Sequence, residues 1–234
     1  VILSSPFSTY TLPNGLKVVV ERMPGVKTAA AGFLARTGAR DESPDIAGVS
    51  HFLEHMCFKG TPHRTARQIN LDFDRLGGHP NAFTSQDRTF FHAVARAADV
   101  ERQIDILADM MQSTLPEDEF VTEKQTVLNE IAMAKDHLEH LAFDLILEKV
   151  FAEHSLGWPV LGYERTVGPL TRQQMADYFH QHYAPDNMCL IVAGNVDPAD
   201  IFDIAQRQCG HWHPSGYRRK RSVPSIRTGT AVQQ

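Results

Sequence analysis

Long hydrophobic runs, paired cysteines and an excess of positive charge are all missing from this 234-residue sequence. No stretch approaches the ~18 uninterrupted apolar residues that a membrane-spanning helix needs. The opening, Val1 to Pro6, is short and lacks a basic start, so it carries no recognisable signal peptide and leaves the compartment unknown. Its three cysteines, Cys57, Cys189 and Cys209, are odd in number and far apart. That excludes a disulfide framework and any Cys-x-x-Cys metal or redox pair; Cys57 reads as a small buried filler. A formal charge of −5 gives no reason to expect nucleic-acid binding. The one basic run, Arg218 to Arg221, lies in a Pro/Gly/Ser-containing tail and reads as a solvated linker. A Gly-x-Ser-x-Gly elbow and a phosphate-binding loop are also absent.

What is there is an ordinary globular composition, with 42% hydrophobic and 22% charged residues, and 12 histidines. Ser8–Leu12 and Leu16–Arg22 flank Pro13-Asn14-Gly15 and predict a hairpin, since Asn and Gly tolerate positive φ. Thr28–Ala35 reads as a buried strand. A helical pattern follows from about Ile46 to Phe58, and Thr65 caps a helix that Gly77-Gly78 stops after Leu76. Asn81–Ser85 and Arg88–Ala95 predict a second hairpin. Helices are expected over Asp99–Ser113, from Pro116 on through Val150, over Thr171–His182 and over Pro198–Gln208, with a strand at Met188–Ala193. Strands and helices do not alternate singly, which argues against a doubly wound parallel sheet. The expected fold is α+β, an α/β roll with a mainly antiparallel sheet and helices on one face. Residues 1–210 form the expected domain, and 211–234 read as a linker toward a second domain.

The strongest chemical signal is His51-Phe52-Leu53-Glu54-His55. Residues four apart share a helix face, so both imidazoles can reach one ion, and Glu54 falls at the edge of that face where it can accept a proton from water. Burying three polar groups amid Phe52, Leu53, Met56 and Phe58 makes sense if a cation compensates them. Spacing alone also allows two surface histidines on an amphipathic helix. A catalytic zinc needs a third protein ligand. Glu123 and Glu130, seven apart, share one face of the long helix, and spacing does not choose between them; the other would orient a histidine or shape the surroundings of the ligands. His137 and His140 read as surface residues, His180, His182, His211 and His213 carry no assigned chemistry, and His79 and His92 bracket the second hairpin's first strand.

Ordered along nearly the whole chain, these segments resemble the pitrilysin/insulinase family of inverzincins, in particular the branch typified by the mitochondrial processing peptidase β-subunit. The segments that carry the resemblance are Leu12-Pro13-Asn14-Gly15-Leu16, Gly38-Ala39-Arg40-Asp41-Glu42, Gly48 to His55, Phe58-Lys59-Gly60-Thr61, Asn81 to Ser85, Val127 to Ile131, Leu161-Gly162, Tyr183 to Met188 and Ala193-Gly194-Asn195-Val196. The resemblance implies one Zn2+ on His51, His55 and Glu130, with Glu54 the catalytic base and Glu123 a supporting acid. It implies a zinc metalloendopeptidase, with zinc-activated water attacking a peptide carbonyl. An extended peptide substrate would add as a strand along Asn81, Ala82, Phe83 and Thr84. Full members contain a second related domain, of which this sequence shows no internal copy, so a second homologous domain or subunit is an expected partner. A non-catalytic assembly or peptide-binding subunit of the same fold is the alternative.

Overall fold

The computed structural model describes residues 7–151, 154–220 and 222–226. The opening hexapeptide, Arg221 and the end of the tail past 226 lie outside the described residues. Six strands form one sheet among them: β1 (Phe7–Thr11), β2 (Lys17–Arg22), β3 (Thr28–Ala35), β4 (Asn81–Thr84), β5 (Thr89–Arg96) and β6 (Met188–Gly194), in the order β1-β2-β6-β3-β5-β4. Only β2 and β6 pair in parallel; the other pairs are antiparallel. Both expected hairpins form, β1–β2 through Gly15 at φ +95° and β4–β5 in the register Asn81↔His92 to Thr84↔Thr89.

Eight helices accompany the sheet among the described residues: α1 (Val49–Met56), α2 (Ala66–Leu76), α3 (Val100–Met110), α4 (Glu117–Asp136), α5 (Leu138–Phe151), α6 (Glu164–Val167), α7 (Arg172–His182) and α8 (Pro198–Cys209). Period-two alternation sends Val18, Val20, Ala31, Phe33, Phe91, Ala93, Leu190 and Val192 to one buried face. Against that sheet α3 and α8 pack with Ile104, Leu107, Ile201 and Ile204. The expected α+β architecture, with a mainly antiparallel sheet, is therefore the one observed.

Two boundaries differ from the sequence reading in ways that matter for the site. The helix expected from about Ile46 begins only at Val49, because Gly48 sits at φ +98°, outside helical backbone. A Cβ at Gly48 would lie 2.6 Å from the Leu161 carbonyl oxygen and 2.9 Å from Gly162 Cα. Glycine is required there on both conformational and steric grounds. Gly48→Ala is expected to destabilise the fold by about 1–3 kcal/mol or more, read as a lower urea midpoint at unchanged slope. The second difference concerns the tail. The expected linker after Gly210 begins with Trp212, which is buried with its ring 5.6 Å from that of Phe33. Arg219, expected to be solvated, is held on Asp41. A Pro/Gly/Ser-containing composition hides these anchoring side chains, and contact with the domain continues as far as Ser222, 2.6 Å from His154 Nε2.

The long helical stretch also divides at His137, and α5 buries no residue fully. Cys57 is buried as expected, with Cys209; all three cysteines are free.

Candidate metal centre

Helix α1 carries the His-x-x-Glu-His segment, and its apolar side, Val49, Phe52, Leu53 and Met56, is sunk in the core. Phe52 stacks on Phe120 of α4 at 4.9 Å, which sets the two helices against each other. On α4 the buried stripe is Phe120, Glu123, Val127 and Ile131, so Glu123 and Glu130 are delivered two turns apart to the same histidines.

The geometry separates the two glutamates. His51 Nε2 and His55 Nε2 lie 3.3 Å apart, and Glu130 Oε2 is 3.7 and 3.6 Å from them. Zinc–ligand bonds of about 2.0–2.1 Å in a tetrahedron require ligand atoms roughly 3.3–3.4 Å from one another, so three protein atoms already span one face of such a polyhedron. They form the one three-residue cluster among the described residues suited to a metal ion. Glu123 Oε1 instead lies 2.9 Å from His55 Nδ1, the far side of the ring, and its other oxygen is 2.5 Å from Lys59 Nζ. This is the arrangement by which a carboxylate fixes the tautomer of a metal-ligating histidine. Burial pushes the Glu123 carboxyl up, but Lys59 and His55 outweigh it and hold it below the usual range.

Burial, with His55 adding to it, lowers the His51 pKa to about 4, so its ring is neutral near pH 7 and offers a lone pair. Burial raises the pKa of Glu54, which lies close enough to His55 and Glu130 to feel both. Thr84 Oγ1 donates to Glu54 Oε2 at 2.5 Å and opposes that rise. A carboxylate with a raised pKa beside a metal position is suited to taking up and returning a proton.

Strand β4 runs past α1 at the end of the sheet, paired only with β5 among the described residues. Its four residues split by face. Thr84 reaches Glu54 and Ala82 packs on the core, whereas Asn81 and Phe83 are exposed, Phe83 lying edge-on to Phe90 at 5.9 Å. Just beyond Glu130 along α4, a cavity of about 650 Å³ opens between α4, α5 and the 159–165 segment, with Leu141, Leu145 and Leu161 beside Asp144 and Glu148.

Three participants escaped the sequence reading. Lys59 stands four residues after His55, just past the end of α1, and that closeness in sequence was the available signal. Thr84 was read as a substrate contact, not as a partner of Glu54. Glu42 is buried beneath α1. His137 and His140 are exposed as expected, and so is His79. His92 lies half-buried on Phe90, whereas His182 is buried on Tyr178.

The chain is similar to known proteins over most of its length. The insulinase (peptidase family M16) model matches residues 17–164, and the peptidase M16 inactive-domain model matches 169–232. A Bacillus subtilis protein described as the uncharacterised zinc protease YmxG is 39% identical over 220 residues, 94% of this chain and 54% of that protein. A Rickettsia felis protein, also described as an uncharacterised zinc protease, is 38% identical over 86% of this chain and 49% of its own length. The chain thus spans about half the length of the curated relatives it matches. Among solved structures, a Helicobacter pylori protease superposes with a TM-score of 0.86 at 24% identity, covering 94% of this chain and 52% of that one. A putative M16-like peptidase from Alicyclobacillus acidocaldarius superposes at 0.81 with 26% identity, covering 97% and 53%. The chain belongs to the insulinase family of M16 peptidases.

Proposed function

We propose that this chain is the metal-holding half of a zinc metalloendopeptidase that hydrolyses extended peptides together with a second homologous domain or subunit. The observation that carries this reading is the triangle of His51, His55 and Glu130 atoms at 3.3–3.7 Å with Glu54 beside it. The zinc-protease descriptions of relatives and the inactive-domain match support it. The ordered motifs from Leu12 to Val196 favour the branch close to the processing-peptidase β-subunit. Among the described residues, no helix is long and apolar enough to cross a membrane.

When bound, zinc supplies a Lewis acid that polarises the scissile carbonyl and acidifies a water molecule. The chain's own groups do the rest. His51 and His55 present their imidazole Nε2 atoms, and Glu130 adds a carboxylate oxygen. Glu54 accepts a proton from the attacking water and passes it to the leaving amine, and Thr84 holds the Glu54 carboxylate by its Oε2. The outer edge of β4 pairs with the backbone of an extended peptide, leaving Asn81 and Phe83 exposed to its side chains. A non-catalytic assembly subunit would have no use for all four of His51, Glu54, His55 and Glu130.

About one zinc per purified chain, and hydrolysis of an extended peptide once the second domain is supplied, are the expected results. A chain that takes up no zinc in chelator-free buffer overturns the reading. Glu123→Ala frees the far nitrogen of His55 and is expected to weaken zinc binding by about 10–100-fold, measured by competition with a chromophoric chelator.

A further inference from the structure

The N-terminus of α1 rests on a buried carboxylate that the proposed metal chemistry does not use. Glu42 Oε2 accepts the Gly48 N–H at 2.7 Å and Oε1 accepts the Ser50 N–H at 2.8 Å. Both N–H groups lie at the start of a helix, where no intrahelical acceptor exists. Ser50 Oγ is 2.8 Å from the Tyr178 hydroxyl, itself 2.7 Å from Thr37 Oγ1, so the residue before His51 is fixed through its backbone and its side chain. Burial drives the Glu42 pKa up to about 7 against the two backbone donors, an unfavourable setting for a carboxyl kept only to fill space.

The residue before Glu42 in the chain is anchored in turn. Asp41, with a side chain only 2% exposed, accepts from Nε and Nη2 of Arg219 at 2.7 Å and from the Gly38 N–H at 3.0 Å. Arg219 also donates to the Asp87 and Arg36 carbonyls, joining the β4–β5 turn to the end of β3. Tyr217 packs on His182 at 4.3 Å, and His182 stacks on Tyr178 at 3.9 Å. The segment around Tyr217 and Arg219 therefore reaches the start of α1 by two routes, one through Asp41 and Glu42 and one through His182 and Tyr178.

We propose that Glu42 is a positioning residue for the metal-binding helix, and that Arg219, clasping Asp41, straps it in place so that the C-terminal segment sets the geometry of the metal centre. Among the described residues, no hydrogen bond or ion pair of Glu42, Asp41 or Arg219 reaches His51, His55 or Glu130. Its action is on the pitch and depth of α1, and hence on where both imidazoles meet Glu130. The proposal rests on the metal-site reading.

Cobalt(II) titration of the 234-residue chain separates the two, because the visible bands of a bound cobalt ion report ligand geometry independently of catalysis. Wild type is expected to bind one cobalt with intense tetrahedral bands. Glu42→Gln replaces one acceptor with an amino group facing a backbone N–H, and should bind at least ~10-fold more weakly with displaced bands. Arg219→Ala, which leaves the helix cap intact, should shift the bands in the same direction by less. If Glu42→Gln lowers the melting temperature but keeps wild-type cobalt affinity and spectrum, Glu42 is a structural cap only and the proposal falls. Should Glu42→Gln fail to fold, folded Arg219→Ala with an unaltered spectrum and affinity overturns the strap. Wild type that binds no cobalt overturns the metal reading itself, and this proposal with it.

Discussion

His51→Ala is expected to reduce zinc affinity by on the order of 10³-fold or more, equivalent to about 4 kcal/mol, leaving the purified chain essentially metal-free. Two ligand atoms would remain where three now form a triangle with edges of 3.3–3.7 Å. Water could fill the vacated position, but it brings neither the fixed direction nor the prepaid orientation of a ring carried on a packed helix. Glu130→Gln should act in the same direction, because it removes the charge that offsets the dication. The fold should tolerate His51→Ala better than the site does. Among the described residues His51 Nδ1 is buried without a hydrogen-bond partner, so truncating the ring breaks no such bond on that side. The expected measurement is therefore zinc content near zero by elemental analysis, with far-UV circular dichroism close to wild type. Zinc retained at one per chain would remove His51 from the ligand set.

The sequence made much of this site legible because local rules and tertiary need coincide there. A helix with histidines four apart has one geometry for sharing an ion, and Phe52, Leu53 and Met56 mark which side is buried. Strand periodicity likewise revealed both hairpins and the Met188–Gly194 strand. The choice of Glu130 over Glu123 was not legible from spacing, since seven residues separate equivalent positions on one helix face; the resemblance named Glu130. In the structure Glu130 comes within 3.7 Å of both Nε2 atoms, while Glu123 reaches only the far nitrogen of His55. Long-range partners were the least visible. Ser50, whose N–H Glu42 accepts, reaches Tyr178 across 128 residues, and Arg219 reaches Asp41 across 178. Neither link leaves a periodic trace, and a tail rich in Pro, Gly and Ser gives no sign that Trp212 and Arg219 pack. The onset of α1 shifted for a related reason: Gly48 is set by contact with Gly162, far along the chain.

Glu54→Gln is the substitution that separates metal binding from chemistry. The amide is nearly isosteric and can still accept the Thr84 hydroxyl through its carbonyl oxygen, so the β4 edge and α1 should keep their spacing. Glu54 lies outside the His51, His55 and Glu130 cluster, so zinc should stay at about one per chain. What the amide lacks is a basic oxygen. Burial raises the Glu54 pKa, making the carboxylate a stronger proton acceptor than an exposed glutamate while leaving it able to release the proton to the departing amine. In the protein assembled with its second domain, peptide hydrolysis should fall by about 10²–10⁴-fold, or roughly 3–5 kcal/mol of transition-state stabilisation. The loss should appear in kcat, with KM little changed, since the proposed reading has the peptide held by the edge of β4 and not by Glu54. The result that would displace Glu54 from the chemistry is a Gln variant with full zinc and an undiminished kcat, and another group would then have to supply the base. A variant that lost zinc as well would instead place Glu54 among the groups that hold the ion.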